Sequence, residues 1–229
     1  MIVYKYGGTS LLDEEEIVKT VNDGLKEHGK IIIVVSAIGR YPYPYSTDAL
    51  FKLCDNLSQN EISRIVSCGE IISSGRLSSI LNKNYIKAIS LSIYDIELQF
   101  DEEFQINDKI KFYLEDYDVV IIPGFIGLKD KEVVLLPRGG SNITASFLAY
   151  HYGCDLVIFT EVDGLYQEDP KLNNTVERIP LLSYETLKDI TKYNPALFPC
   201  LGIKYLEMGN VNVMIRTTHS KNGTMIRKI

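Results

Sequence analysis

Three short segments of this 229-residue chain carry residue types suited to handling anions. The first is Lys5-Tyr6-Gly7-Gly8-Thr9-Ser10, which follows the apolar run beginning at Ile2. Two adjacent glycines let the backbone turn sharply and aim N–H groups at one point, Thr9 or Ser10 can cap a following helix, and Lys5 supplies a positive charge. Such a turn can cradle phosphate, although a plain Gly-Gly turn explains the residues equally well. The second is Pro137-Arg138-Gly139-Gly140-Ser141-Asn142-Ile143-Thr144-Ala145. It repeats the pattern of apolar run, glycine pair and helix start, now with an arginine whose planar fork suits carboxylate or phosphate. Two such loops in one sheet describe a site that holds a polyphosphate beside an anionic co-substrate. The third is the acidic turn Glu161-Val162-Asp163-Gly164-Leu165-Tyr166-Gln167-Glu168-Asp169-Pro170 after Thr160. Its carboxylates repel phosphate, so against a nucleotide it meets ribose and base; the alternative is a solvated turn of the kind Asp-Gly and Asp-Pro favour.

Two further features bear on the chemistry. Glu70 lies in Ser67-Cys68-Gly69-Glu70, inside a stretch with helical patterning. A lone helical glutamate usually faces water, but Gly69 costs roughly 1 kcal/mol in mid-helix and suggests that another part of the chain approaches closely there. Gly24 to Ile31 nearly matches a Walker phosphate loop, yet Ile31 stands where Ser or Thr should be, and a helix precedes where a strand should. That match is discarded.

The elements that must position these residues alternate along the chain. Strands are expected at Ile2–Tyr6, Lys30–Ser36, Tyr85–Ser90, Ile96–Phe100, Val119–Pro123, Val133–Leu136, Asp155–Thr160, Val211–Arg216 and Thr224–Lys228. Helices are expected at Asp13–His28, Ser46–Leu57, Glu61–Asn82, Asn107–Glu115 and Ser141–Tyr152, with two more inside Ser183–Gly209. Ile31–Val35, Val119–Ile122 and Leu156–Phe159 are continuously apolar, as strands covered on both faces must be. The expected class is therefore α/β, a mainly parallel open sheet between helix layers, with ligands at the carboxyl ends of the strands. Tyr41-Pro42-Tyr43-Pro44-Tyr45 cannot continue a helix or central strand and reads as an ordered loop or a mobile flap.

Composition removes other classes. With 45% hydrophobic and 24% charged residues, the chain is neither disordered nor fibrous. A net charge of −6 argues against a nucleic-acid partner, which needs a basic face. Cys54, Cys68, Cys154 and Cys200 are widely spaced, so reduced thiols in a cytoplasmic setting are expected rather than zinc or disulfides. The longest apolar runs fall short of the roughly 20 residues of a membrane helix, and no leader peptide is evident.

Taken in order, these segments resemble the catalytic domain of the aspartokinases, within the amino-acid kinase family. The resemblance rests on Lys5–Ser10, Val34–Gly39, Ser46–Leu50, Ser67–Glu70, Pro123–Gly127, Arg138–Ala145, Thr160–Tyr166 with Asp169-Pro170, and Gly223-Thr224. It implies transfer of the γ-phosphoryl group of ATP, with Mg2+, to the side-chain carboxylate of L-aspartate. Lys5, Gly7, Gly8, Thr9, Ser10, Gly139 and Gly140 would face the phosphates; Thr160, Glu161, Asp163, Tyr166, Asp169, Pro170 and Lys171 would take the nucleoside. Ser36, Thr47, Glu70, Arg138, Ser141 and Asn142 would hold the amino acid, with Arg138 on its α-carboxylate. Lys5, Gly8 and Arg138 are the expected catalytic residues, and no protein metal ligand is assigned. The resemblance covers residues 1–229 as one catalytic domain without a carboxy-terminal regulatory domain, and a homodimer is a further expectation.

Three departures from the family pattern qualify the acceptor. Asn142 stands where an Asp is usual, which removes a charge and weakens aspartate binding about tenfold if uncompensated. Glu161 replaces another Asp. The family's Gly-x-Lys-Val-Leu-His-Pro segment corresponds to Tyr193–Pro199, which has no lysine. A same-fold kinase for another acceptor and a non-catalytic nucleotide-binding subunit are the alternatives.

Overall fold

The computed structural model describes residues 1–107, 109–166, 176–192 and 198–229. The first half contains β1 (Ile2–Tyr6), α1 (Glu14–His28), β2 (Ile31–Val35), α2 (Thr47–Phe51), α3 (Gln59–Lys83), β3 (Ala88–Ser90), β4 (Gln99–Asp101), β5 (Glu103–Gln105) and α4 (Lys109–Asp116). The second contains β6 (Val119–Pro123), β7 (Ile126–Lys129), β8 (Glu132–Leu135), α5 (Gly140–Tyr152), β9 (Leu156–Phe159), β10 (Leu165–Tyr166), β11 (Arg178–Ile179), β12 (Leu181–Leu182), α6 (Tyr184–Thr191), α7 (Cys200–Gly209), β13 (Val213–Arg216) and β14 (Gly223–Ile226).

The main sheet has eight strands in the order β12-β14-β13-β9-β1-β2-β6-β3, and every neighbouring pair is parallel except β13–β14. Side chains alternate between two cores. Val3, Ile32, Val34, Val120 and Ile122 pack toward α5, α6 and α7, whereas Tyr4, Tyr6, Ile31, Ile33, Val35 and Ile121 pack toward α1 and α3. All five residues of β2 are fully buried, so an unbroken β-branched run is what the position requires. The expected α/β class with helices on both faces is the observed one.

Local sequence sets the helix ends. Asp13 accepts from the Glu16 N–H at 3.1 Å, and Glu14, Glu15 and Glu16 fill the first turn of α1, where the helix dipole favours anions. Ser58 and Glu61 form a reciprocal capping box that starts α3. The helix expected over Ser46–Leu57 is shorter, ending at Phe51, because this cap opens α3 soon afterwards. Among the described residues no helix is long and apolar enough to cross a membrane.

A second sheet, β5-β4-β7-β8, is absent from the sequence reading. The strand expected at Val119–Pro123 is β6, and after it the chain leaves the main sheet at Gly124 and Phe125, the latter with φ +67°. Consequently β8, which leads to Arg138, belongs to this smaller sheet, and the two anion loops do not share one sheet as expected. The Tyr41–Tyr45 loop is held in place. Tyr43 Oη accepts from Arg76 at 3.2 Å, and its backbone N–H donates to Arg40 at 2.7 Å.

Candidate active site

Parallel register brings the carboxyl ends of five strands into one row. Tyr6 pairs with Val35 and with Phe159, Val35 with Pro123, and Phe159 with Arg216. The loops leaving this row, after β1, β2, β6 and β9, therefore converge on one edge of the sheet, where α/β ligands bind.

A first cavity of about 450 Å³ opens there. Lys5, Gly7, Gly8 and Thr9 line it from β1, Ser36, Gly39 and Arg40 from β2, and Thr160 and Glu161 from β9. Gly8 is glycine for want of space: a Cβ there would lie 2.4 Å from the Ala37 carbonyl oxygen and 2.6 Å from that of Gly39. The Gly39 N–H donates to the Gly8 carbonyl at 2.8 Å, so the two loops are stapled backbone to backbone. Lys5 lies at the floor, its Nζ 3.7 Å from where a Gly7 Cβ would be. Burial pushes its pKa down to about 8, so loss of hydration leaves an ammonium that gains by meeting an anion.

A second cavity, about 1250 Å³, adjoins it. Arg138, Gly139, Gly140, Ser141 and Asn142 line one side, at the start of α5. That helix carries no acidic residue in its first turn, so its N–H groups and the exposed Arg138 together favour an anion. Glu70 reaches in from α3 and is 1% exposed; its Oε1 accepts from the Ala37 N–H at 3.1 Å, while Oε2 is buried without a partner among the described residues. Burial pushes its pKa up to about 8, against the opposing pull of the Ala37 hydrogen bond. Gly69 explains this depth. A Cβ on it would lie 2.8 Å from both the Ala37 Cβ and the Tyr45 carbonyl oxygen, the close approach expected from its place in mid-helix.

Lys5, Ser36, Thr47, Asp48 and Asn142 line both cavities and mark their junction. Ser36 Oγ donates to Ser141 Oγ at 3.1 Å, tying β2 to the start of α5. A ligand in each cavity would meet its neighbour at this point.

Several expected positions lie elsewhere. Gly139 and Gly140 line the second cavity rather than the first, because β8 is in the smaller sheet. Ser10 is buried beneath Gly7 and lines neither cavity. Asp163 and Tyr166 also line neither. Asp163 accepts from Tyr166 Oη at 2.5 Å and from Arg178 at 2.9 Å, which folds the turn onto itself. These bonds hold the Asp163 carboxyl below its usual range, and the same contact raises Tyr166. Asp169, Pro170, Lys171 and the segment Tyr193–Leu197 lie outside the described residues. Among the charged lining residues, Arg40, Asp48 and Lys52 went unrecognised in the sequence. Arg40 lies next to a glycine shortly after an apolar strand, as Arg138 does, and Asp48 adjoins Thr47. Among the described residues no cluster of three or more His, Cys, Asp or Glu is arranged to hold a metal.

Comparison with known proteins agrees with this architecture. The model of the amino acid kinase family matches residues 1–217. The aspartokinase of Helicobacter pylori is 32% identical over 244 residues, covering 99% of this chain and 59% of its own. An aspartate kinase structure from Synechocystis superposes with a TM-score of 0.82 at 25% identity, covering 100% of this chain and 40% of the other. The E. coli aspartokinase III complex with aspartate and ADP has the same TM-score at 18% identity, covering 100% and 64%. The chain thus spans about three-fifths of the length of the curated relatives it matches.

Proposed function

Because the chain belongs to the amino acid kinase family, we propose that it transfers the γ-phosphoryl group of ATP to the side-chain carboxylate of L-aspartate, yielding 4-phospho-L-aspartate and ADP. The observation that carries this reading is the pair of adjoining cavities, whose shared wall is Lys5, Ser36, Thr47, Asp48 and Asn142. The aspartokinase names of the relatives support the acceptor. In this reading residues 1–229 form one catalytic domain.

Nucleotide in the first cavity lays its β- and γ-phosphates over Gly7 and Gly8, with Lys5 beside the charge that shifts during transfer. Aspartate in the second cavity sets its α-carboxylate on Arg138 and the start of α5, and its ammonium on Glu70 and Asn142. Its side-chain carboxylate then points to the junction. A bond forms from that oxygen to the γ-phosphorus as the bond to the β–γ bridging oxygen breaks, and the electron pair leaves on ADP. The nucleophile is already ionised, so no protein base is required, and alignment plus charge stabilisation carry the rate.

The donors at the junction suit Mg2+ arriving with ATP, since it favours phosphate oxygens with one or two carboxylates rather than an all-protein cage. Asp48 is the carboxylate placed to hold it, with Thr47 and Asn142 as neutral oxygen donors. Bound there, the ion would neutralise charge on the transferred group.

ADP release coupled to L-aspartate, with the acyl phosphate trapped by hydroxylamine, tests the proposal. Turnover well above that of Lys5→Ala supports it, and none above that background refutes it. A second reading, the same transfer to a larger acceptor, is favoured by Asn142 and by the apolar wall of Phe51, Ile62, Phe100 and Phe125 in the second cavity. An acceptor screen in the same assay separates the two.

A further inference from the structure

We propose that Arg40 is the second cation of the nucleotide cavity and a catalytic residue, its guanidinium leaving Glu161 to grip the terminal phosphates when nucleotide binds. The inference rests on the reading of the first cavity as the ATP site. Among the described residues only Lys5 and Arg40 line that cavity as cations, against the carboxylates of Asp48 and Glu161. A polyphosphate carries several negative charges into this space, and besides Arg40 the described residues bring only Lys5 to meet them there, Arg138 lying in the neighbouring cavity.

Position singles out Arg40 for the task. It follows Gly39, whose N–H donates to the Gly8 carbonyl at 2.8 Å, so its backbone is fastened to the turn that cradles phosphate. From there the side chain crosses the cavity and donates from Nη2 to Glu161 Oε1 at 2.7 Å, linking the loops after β2 and β9. The Arg40 side chain is 67% exposed in that pair. Ion pairs so exposed shift an equilibrium only severalfold, because water competes with both partners. A phosphate offers the planar fork two oxygens and a larger charge, so exchange from carboxylate to phosphate is favoured. In the ligand-free protein Glu161 therefore keeps the guanidinium in the cavity.

Titration of AMP, ADP and a non-hydrolysable ATP analogue into the wild-type chain, Arg40→Ala and Arg40→Lys tests this without any acceptor. Arg40→Ala is expected to bind the ATP analogue about 30- to 100-fold more weakly and AMP within about threefold of wild type, with Arg40→Lys between. With L-aspartate, kcat is expected to fall about 100-fold and to recover at least tenfold with added methylguanidinium. Equal losses for AMP and the ATP analogue, or affinities and kcat within threefold of wild type, would overturn it. Wild type that binds nucleotide but does not phosphorylate aspartate defeats the proposed acceptor and leaves the binding comparison to decide Arg40. Wild type that binds no nucleotide removes both.

Discussion

Replacing Glu70 with glutamine tests whether its carboxyl is held neutral by burial. Glutamine has the same shape and retains an oxygen for the Ala37 N–H, so packing is preserved and only ionisation is lost. Burial raises the carboxyl from 4.5 to about 8 in the folded chain. Each pKa unit is worth about 1.4 kcal/mol, so ionising this group in the ligand-free protein costs about 5 kcal/mol, or about 3 if water reaches it. Between pH 4.5 and 8 the folded chain holds a proton that the unfolded chain has released, so stability falls as pH rises through that window and levels off above it. Lys5, lowered to about 8, acts in the other direction: its contribution is least below pH 8 and recovers as pH rises toward 10.5. Subtracting the variant from wild type cancels Lys5 and every other shared group. Urea unfolding of both ligand-free proteins at intervals from pH 5 to 8.5 should show Glu70→Gln gaining about 3–5 kcal/mol on wild type across the range. Curves that stay parallel to within about 0.5 kcal/mol would show that Glu70 titrates normally, and the argument from its burial would fail. The same variant cannot ionise to meet an ammonium, so its KM for aspartate should rise.

Arg138→Ala should raise the KM for aspartate about 30- to 100-fold with ATP affinity unchanged, since a charge-assisted contact of about 2–3 kcal/mol is removed from the second cavity alone; steady-state kinetics with each substrate varied checks this. Asn142→Asp should tighten aspartate about tenfold by restoring a charge, with no gain for succinate, which lacks the ammonium, as competition measurements would show. Gly8→Ala should destabilise the fold by about 1–3 kcal/mol and weaken nucleotide binding, because the new Cβ meets two backbone carbonyls at 2.4 and 2.6 Å that cannot both retreat. Denaturant melts and nucleotide titration measure the two effects.

The main sheet was legible because its strands report their surroundings. Ile31–Val35 is apolar at every position, and only a strand covered on both faces tolerates that. The helix start at Asp13 was close to the observed one because its cap is local, and the start near Ser141 because the Gly139-Gly140 turn precedes it. The small sheet was legible only in part: β8 was expected at Val133–Leu136 and β4 overlaps the strand expected at Ile96–Phe100, but not their pairing into a second sheet. Gln99–Asp101 and Glu103–Gln105 are three-residue strands with half-exposed faces, too short to show alternation. The end of β6 at Pro123 was expected, whereas the turn from there into a second sheet depends on the Phe125 backbone angle, which no residue type there announces. In the site, glycine pairs and Arg138 stood out by composition, whereas Arg40 and Asp48 did not. An arginine beside a tyrosine-proline stretch and an aspartate in the first turn of a short helix have commonplace explanations, and only the folded loops show both facing a cavity.

On the proposed function, the unforeseen sheet also bears on how two substrates would share one site. The phosphate turn follows β1, in the most buried part of the main sheet, where the Gly7–Phe159 and Gly8–Gly39 hydrogen bonds fix it to backbone on both sides. The acceptor loop follows β8, in a four-stranded sheet whose link to the phosphate side runs through Gly124, Phe125 and the Ser36–Ser141 hydrogen bond. Substitutions along the apolar wall of the second cavity, at Phe100, Phe125 or Leu135, therefore reshape the acceptor's space without touching residues that line the first. Changes at the five junction residues alter both at once. Acceptor choice is thus mechanically separable from nucleotide binding everywhere except at Lys5, Ser36, Thr47, Asp48 and Asn142, and of these Asn142 is the one that departs from the family's usual residue.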